Sequence, residues 1–486
     1  MSAASFTTET AMNDHTPFPS TTSRGGGARR YDNEEVHLTL SDTEPGSNFY
    51  WGAATAAYQI EGSPMADGAG RCIWQEFSHT PGTIYDGQTG DLACDHYHRW
   101  AEDIELMRHL GLGAYRFSIR WPRVLPDGVG ELNPAGLAFY DRLLDGVLAA
   151  GLEPFVTLFH WDFPSALQRR GGWSNRDAAD WFGEYASVVA ATLGDRVRWW
   201  TTLNEPFVVA EQGHLVGAHA PGIRNIYAAG HAVHNQLRAH AAAWAALKAA
   251  NPKASVGIAL HNAAVWPASE SEADIAATEL AHAWHNFPLF LEPLVYGRYP
   301  RELEHRLRPY LPSGYEEDME ALILPPDFAG INYYSGYRVC HDATKWTGFV
   351  ASKEPGVPKT TMDWLIRPEG LSFILEQAHE KYKLPHLFVT ENGASFDDRR
   401  DGQAVHDPER IAYLEAHVGE VLRVRKEGVP VQGYFVWSLL DNFEWALGYS
   451  KRFGIVYVDF DTQERIVKDS GYWYGELARS GHLPVG

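Results

Sequence analysis

The sequence predicts a single (β/α)8 barrel of the TIM type, in the α/β class, with elaborated loops after its strands. Short apolar runs alternate eight times with longer segments of helical period, which is the pattern of βαβ units around a parallel sheet. Ionisable or amide side chains follow nearly every run, and in a barrel such residues meet at one open end. A chain of 486 residues with a 45% apolar composition is large enough to bury one substantial core.

Runs of apolar, β-branched or aromatic residues are predicted as the barrel strands because they are short and separated by helical segments. They occupy residues 49–53, 113–117, 153–158, 198–203, 254–260, 328–331, 386–390 and 431–436.

Helices are predicted between the strands from apolar residues that recur along one face. The first such face carries Tyr97, Trp100, Ile104 and Met107. The alternative fold is an open doubly wound sheet, but no Gly-x-Gly-x-x-Gly follows the first strand, so a dinucleotide site is not supported. Other helices are predicted at about residues 134–149, 175–193 and 227–250, and a long connection with a short helix at residues 300–326.

The N-terminal residues 1–44 are rich in Ser, Thr, Gly and Pro and show almost no apolar periodicity. Such a composition predicts a disordered extension, which leaves residues 45–486 as the barrel domain. A transit peptide is the alternative, although the acidic residues Glu9, Asp14, Glu34 and Glu35 are unusual in one.

Charge and composition exclude several classes of partner. The formal net charge is −21, whereas nucleic-acid binding depends on clustered Lys and Arg. No run approaches the roughly 20 apolar residues of a membrane span, and no standard signal peptide is evident. The three cysteines Cys72, Cys94 and Cys340 are too few for a disulfide framework. We therefore expect a cytoplasmic protein without nucleic-acid or membrane partners.

Two glutamates, Glu205 and Glu391, follow the fourth and seventh predicted strands. Either one alone is better explained by an ion pair or a helix cap. Together, facing each other across a barrel mouth lined by amides and aromatics, two carboxyls suit cleavage of a glycosidic bond. One would act as acid and the other as nucleophile or base.

The sequence resembles glycoside hydrolase family 1 from about residue 49 to the C-terminus. The paired strings Asn-Glu-Pro and Thr-Glu-Asn-Gly, one in each half, are highly specific to that family. The matching strings are residues 51–62 (WGAATAAYQIEG), 115–123 (YRFSIRWPR), 202–206 (TLNEP), 389–393 (VTENG) and 437–445 (WSLLDNFEW).

This resemblance implies a β-glucosidase that retains the anomeric configuration. Glu205 would be the general acid/base and Glu391 the nucleophile, with Arg116 and Asn332 supporting it. The resemblance also implies that Arg116 and Tyr334 contact Glu391, which favours its charged form. Retention requires the two carboxyls to stand about 5–5.5 Å apart.

The resemblance further implies a set of residues that bind the substrate. Trp437 would stack beneath the sugar ring, and Trp364 would form a platform for the leaving group, although Trp364 could equally pack a loop. Glu444 argues for a neutral sugar, since a carboxylate would repel a phosphorylated one. The expected sugar-binding residues are Gln59, His160, Asn204, Tyr334, Trp437, Glu444 and Trp445.

Several questions remain open from the sequence. The expected substrates are terminal β-D-glucosides, such as aryl glucosides and cellobiose, and β-galactosides or β-fucosides are alternatives. A transglycosylase would use the same residues, and a non-catalytic sugar-binding barrel would usually lack one glutamate. Neither a metal nor a cofactor is expected, because the run Asp95 to His98 and the pair His231 and His234 fall on predicted helices. The oligomeric state is not predicted.

Overall fold

The computed structural model describes residues 49–484. Its strands, in chain order, are β1 (Tyr50–Ala54), β2 (Ala114–Ser118), β3 (Glu153–Phe159), β4 (Trp199–Asn204), β5 (Ser255–Pro267), β6 (Phe328–His341), β7 (Phe349–Ala351), β8 (Leu387–Asn392), β9 (Arg400–Asp401), β10 (Ala404–Val405), β11 (Val431–Trp437), β12 (Val456–Val458) and β13 (Arg465–Val467).

Eight of these strands close into a parallel barrel. Its order is β1, β2, β3, β4, β5, β6, β8 and β11, and β11 pairs with β1 to complete the ring. The predicted (β/α)8 fold is therefore confirmed. The remaining strands are short and lie in the loops.

Helices separate the barrel strands as predicted. The helix expected at residues 134–149 has these bounds, whereas the one expected from residue 175 begins at Ala178 because a short 3-10 helix, Gly172–Ser174, comes first. The α-helices are α1 (Ala57–Ile60), α2 (Ile73–Ser78), α3 (His96–Leu110), α4 (Trp121–Val124), α5 (Pro134–Ala149), α6 (Ser165–Gln168), α7 (Ala178–Leu193), α8 (Pro206–Ala210), α9 (Ile226–Ala250), α10 (Glu272–His285), α11 (Pro288–Tyr296), α12 (Arg301–Leu307), α13 (Tyr315–Asp318), α14 (Pro368–Tyr382), α15 (Pro408–Lys426) and α16 (Asp469–Ser480).

Strands β5 and β6 are much longer than predicted. They continue to pair above the barrel, with Ala264 opposite Gly336 and Trp266 opposite Arg338. An irregularity between Asn262 and Ala264 shifts the register where the two strands leave the ring. The polar residues at this point resemble a strand end in the sequence, although pairing continues past them.

Six aromatic rings fill the N-terminal end of the barrel. Phe155 stacks on Trp199 with ring centroids 5.5 Å apart, and Phe388 meets both rings edge-on. Glycine makes room for one of them, because a Cβ at Gly52 would lie 2.5 Å from the Phe435 ring. The rings belong to Tyr50, Phe155, Trp199, Phe328, Phe388 and Phe435. They close this end of the barrel, so a ligand site has room only at the opposite end.

The predicted extension at residues 1–44 lies outside the described residues. The connection at residues 300–326 contains α12, a 3-10 turn and α13, in agreement with the prediction of loop and short helix. Among residues 49–484, no helix combines the length and the apolar character that crossing a bilayer requires.

Candidate active site

All twelve residues singled out by the sequence lie together at the C-terminal end of the barrel or on the loops above it. Six belong to barrel strands: Arg116 to β2, Asn204 to β4, Asn332 and Tyr334 to β6, Glu391 to β8 and Trp437 to β11. Two directly follow a strand, His160 after β3 and Glu205 after β4. The other four lie above the barrel: Gln59 in α1, Trp364 between β7 and α14, and Glu444 and Trp445 between β11 and β12.

Glu391 is held by a cation and a hydroxyl. Arg116 Nη1 lies 2.5 Å from its Oε1, and the Tyr334 hydroxyl donates to its Oε2 at 2.7 Å. The carboxyl is nearly inaccessible, with 3% exposure for the residue. Both contacts expected from the sequence are therefore present, and they stabilise the charged carboxylate.

Glu205 occupies a sharp turn between β4 and α8. Its φ of 46° and ψ of 58° lie in the left-handed region, which side chains rarely adopt unless their surroundings enforce it. Pro206 begins α8 immediately, so the strand becomes a helix across this one residue. The buried carboxyl accepts a hydrogen bond from Asn332 Nδ2 at Oε1, 3.0 Å away.

Asn204 connects the two glutamates. Its Oδ1 accepts hydrogen bonds from Arg116 Nη2 at 2.6 Å and from Asn332 Nδ2 at 3.1 Å. Arg116 in turn contacts Glu391, and Asn332 contacts Glu205. One hydrogen-bonded network therefore fixes both carboxyls relative to each other, and a substitution in it would disturb both.

Burial is the largest electrostatic effect on Glu391. It raises the pKa of that carboxyl to about 7, with Arg116 opposing the rise and the charge of Glu205 adding to it. The resemblance implied that Arg116 and Tyr334 would contact this carboxyl and favour its charged form. Their contacts are as expected, but the removal of water from the carboxyl outweighs them.

An aromatic wall surrounds the space beside the carboxyls. The His160 ring stacks on Trp437 at 5.8 Å and on Trp445 at 6.0 Å. Burial and the charge of Arg116 lower the pKa of His160 well below its usual value, so the imidazole is neutral. Flat apolar faces beside a neutral donor and acceptor suit a sugar ring better than they suit an ion.

Three polar atoms near the wall are buried without a hydrogen-bond partner in the described chain: Gln59 Oε1, His160 Nδ1 and Glu444 Oε2. Buried polar atoms are nearly always paired in proteins, so unpaired ones at one place indicate a ligand with hydroxyl groups. Burial, together with the charges of Glu391 and Glu205, raises the pKa of Glu444 to about 8. Glu444 is therefore protonated at neutral pH and can both donate and accept.

Trp364 lies half-buried at the rim, 5.3 Å from Tyr334 between ring centroids. Its loop is held by Lys451, whose Nζ donates to the Thr361 carbonyl at 2.6 Å. Trp364 therefore both packs the loop and lies next to Tyr334, at the entrance of the site.

The sequence did not assign a role to Trp161 and Trp74, which complete the wall. The Trp161 ring lies 4.6 Å from Trp445, and its Nε1 donates to the Asn204 carbonyl at 3.0 Å. Trp74 also lies 4.6 Å from Trp445. Their position could have been anticipated only for Trp161, which follows His160 at the end of a predicted strand.

The histidines considered as metal ligands make ordinary contacts. His96 Nδ1 pairs with Asp103 at 2.7 Å, and His234 contacts the Tyr299 hydroxyl and Asp318. Within residues 49–484, no group of three or more His, Cys, Asp or Glu side chains is placed to hold a metal ion.

Comparison with known proteins adds a family to this geometry. The family model described as glycosyl hydrolase family 1 matches residues 42–482, and so begins just before residue 45, the predicted start of the barrel domain. The chain is 55% identical over 439 residues to "Beta-glucosidase A" of Thermotoga maritima, covering 90% of this chain and 98% of the relative.

Two further comparisons also match proteins named β-glucosidase. "Beta-glucosidase" of an Agrobacterium species is 44% identical over 443 residues, which cover 90% of this chain and 96% of the relative. A solved structure of β-glucosidase from Thermotoga maritima in complex with deoxynojirimycin superimposes with a TM-score of 0.89 at 54% identity, covering 91% of this chain and 99% of that one.

Proposed function

The chain belongs to glycosyl hydrolase family 1, and from that premise we propose that it hydrolyses terminal β-D-glucosides with retention of anomeric configuration. The proposed substrates are aryl β-glucosides and short β-glucosides such as cellobiose. Relatives named β-glucosidase at 55% and 44% identity support glucose as the sugar.

The proposed reaction has two displacements. Glu391 attacks the anomeric carbon as a carboxylate while the glycosidic bond breaks, and Glu205 gives its proton to the departing oxygen. Glu205, now charged, takes a proton from a water molecule, whose oxygen attacks the same carbon and releases Glu391. Glucose leaves with the configuration it had in the substrate.

The observation that carries this proposal is the unequal setting of the two buried carboxyls. Of the two carboxyls, Arg116 and Tyr334 contact only that of Glu391, which favours placing the negative charge there. Glu205 receives one neutral amide donor, from Asn332, and no cation lies within hydrogen-bond distance of it in residues 49–484. A charged nucleophile beside a protonated acid is the state that the first displacement requires.

We propose that the sugar binds against the aromatic wall. Trp437 would stack beneath the ring, while Gln59, His160, Asn204, Glu444 and Trp445 would contact its hydroxyls. The unpaired atoms of Gln59, His160 and Glu444 support this orientation, because hydroxyl groups would supply the missing hydrogen bonds. Trp364 would contact the leaving group at the entrance.

A neutral sugar is favoured over a phosphorylated one. Burial raises the pKa of Glu444 to about 8, and the charges of Glu391 and Glu205 add to the rise, so the site already opposes a further negative charge. Lys451, which might otherwise attract a phosphate, already donates to the Thr361 carbonyl. A phosphorylated ligand would add two negative charges where carboxyls already repel each other.

The proposed place of action is the cytoplasm. All three cysteines are free, and Cys72 and Cys94 are fully buried, which supports a compartment where thiols stay reduced. The net charge of −21 supports a small neutral substrate over nucleic acid as the partner.

Two variants test the catalytic pair. Glu391→Gln should lower the turnover of nitrophenyl β-glucoside by more than about a thousandfold, because the amide cannot form the covalent ester. Glu205→Ala should regain turnover when azide is added, since azide attacks the glycosyl-enzyme without needing a base. Glu415→Gln, on the exposed face of α15, is the matched control and should retain full activity.

Proton NMR of the first-formed sugar gives the stereochemical result. β-Glucose as the initial product supports the two displacements, and α-glucose would indicate a single displacement and overturn the mechanism. Full activity in Glu391→Gln would remove the assignment of the nucleophile.

A further inference from the structure

His261 lies at the point where β5 leaves the barrel ring, beside Glu205. Its Nδ1 is 3.8 Å from Glu205 Oε1, and 26% of its side chain is exposed. The ring stacks on Phe207, with ring centroids 5.6 Å apart and planes inclined by 24°. Phe207 belongs to α8, which begins directly after Glu205, so one turn of the chain carries both the carboxyl and the surface that orients His261.

The two oxygens of Glu205 have different surroundings. Oε1 accepts a hydrogen bond from Asn332 at 3.0 Å, and His261 Nδ1 lies 3.8 Å from it. Across residues 49–484, no protein group donates to or accepts from Oε2. Because Oε1 acts as an acceptor, the proton of the neutral carboxyl belongs on Oε2, the oxygen left open to a ligand.

Other ionisable groups face His261 from the neighbouring elements. Burial raises the pKa of Glu211, which follows α8, to about 7, and the charge of His261 opposes that rise. On α10, burial lowers the pKa of His285 to about 3, and His261 adds to this effect. Glu211 Oε1 also accepts a hydrogen bond from Trp284 Nε1 at 3.4 Å. His261 therefore lies 3.8 Å from the Glu205 carboxyl, and its charge also acts on the Glu211 carboxyl.

We propose that His261 is a positioning residue for Glu205. Asn332 donates to Oε1, and His261 occupies the space next to that oxygen, so that Oε2 and its proton face the oxygen of the leaving group. The proposal rests on the proposed function, since it requires Glu205 to be the acid. His261 itself transfers no proton and forms no bond to the substrate.

The proposal concerns a step whose importance depends on the leaving group. An alcohol departs from the sugar only if it receives a proton, whereas dinitrophenolate departs without one. A misplaced acid therefore lowers kcat/KM for cellobiose and leaves kcat/KM for dinitrophenyl β-glucoside almost unaffected, because kcat/KM reports only the steps up to the departure of the leaving group. A general structural defect in the site would slow both substrates.

Two substitutions at this position separate the roles of the ring and the nitrogen. His261→Phe retains an aromatic ring against Phe207 and removes the nitrogen near Oε1. His261→Asn places an amide nitrogen near the position of Nδ1 and removes the ring. We expect His261→Phe to lower kcat/KM for cellobiose about tenfold or more and to change that for dinitrophenyl β-glucoside less than about twofold. His261→Asn should recover most of the cellobiose activity.

The outcomes are distinct. An equal loss on both substrates in His261→Phe, or no loss on either, overturns the positioning role. Failure of His261→Asn to recover activity overturns it too, because the nitrogen would not be the active element. If instead Glu205→Ala forms no glycosyl azide and keeps its cellobiose activity, the assignment of Glu205 fails, which is a different result from either outcome at His261.

Discussion

Glu205 and Glu391 have the same side chain, but their neighbours give the two carboxyls different electrostatic surroundings. Arg116 and Tyr334 stabilise a negative charge on Glu391 only. The shared hydrogen bonds of Asn204 keep the pair at a fixed separation. Because two neighbouring carboxylates repel each other, the charge of Glu205 adds to the rise in the pKa of Glu391 that burial causes, and the two sites are coupled.

The pH dependence of activity follows from this coupling. Loss of the first proton gives the active form, with one charge, and loss of the second gives an inactive form, with two. The pKa of about 7 at Glu391, raised by burial and by Glu205, marks the step at which both would be charged. We expect kcat/KM for an aryl glucoside to give a bell-shaped profile between about pH 5 and 7. A flat profile over this range would indicate other acid and base groups.

At the scale of elements, a buried ion network joins the loop after β8 to the loop after β11. Lys468, which precedes α16, contacts Asp398 and lies 2.7 Å from Asp441 Oδ1. Arg410, from α15, donates from Nη2 to Asp398 Oδ2 at 2.8 Å, the same oxygen that Lys468 contacts. The loop that contains Asp441 also carries Glu444 and Trp445, so this network holds part of the proposed sugar site.

Removing the lysine charge should destabilise the fold. Lys468→Met keeps the aliphatic stem and removes the cation that two buried aspartates share. Asp398 keeps Arg410 and Asp441 keeps Arg452, so the cost is below the value of about 3–5 kcal/mol for a buried charge left wholly unpaired. We expect a lower free energy of unfolding in urea and a higher KM for aryl glucoside. Lys426→Met, at an exposed position in α15, is the control and should change neither quantity. An unchanged urea midpoint for Lys468→Met would show that the network is not needed for stability.

The sequence predicted the bounds of a strand well where the apolar run and the strand end at nearly the same residue. β2 is buried along its whole length and was placed within one residue. The end of β5 was predicted too early, because His261 and Asn262 resemble a strand end although pairing with β6 continues to Pro267. The helices α10 and α11 were also not anticipated. Long-range pairing above the rim has no local signal in a single sequence.

The site was predictable for a different reason. Residues such as Arg116, Asn204 and Glu391 stand at strand ends, which a parallel barrel brings to one face, and the family strings contain them. Trp74 lies on a short helix, so its position does not indicate a site. His261 follows the fifth predicted strand and so belongs with the other strand-end residues, but no role was assigned to it. The raised pKa of Glu391 could not be predicted from the sequence either, since burial is a property of the folded chain.

Across the whole molecule, buried ionisable groups predict how stability varies with pH. Burial raises the pKa of Asp162, Glu211 and Glu391 to about 7 and of Glu444 to about 8. In the unfolded chain these acids titrate near 4, so the folded state holds more protons and stability falls as pH rises toward 8. Histidines act in the opposite direction. Burial lowers the pKa to about 4 for His214, His219, His240, His282 and His417, and to about 3 for His285.

These neutral histidines stabilise the fold above pH 6.5, and their contribution is lost as pH falls below it. We therefore expect the melting temperature to be highest near pH 6 to 6.5 and to fall on both sides. Thermal unfolding followed by circular dichroism from pH 4.5 to 8.5 would measure this curve. A melting temperature that rises steadily from pH 6.5 to 8.5 would contradict it.

The six rings that close the N-terminal end of the barrel determine where molecules can enter and leave the site. With Phe155, Trp199 and Phe388 in van der Waals contact there, molecules can enter and leave only past the rim near Trp364. The departing alcohol and the incoming water must then pass through the same opening, one after the other. In the proposed mechanism, an alcohol that remains there competes with water for the sugar attached to Glu391, so crowding at the rim would shift the products from free glucose toward new glucosides.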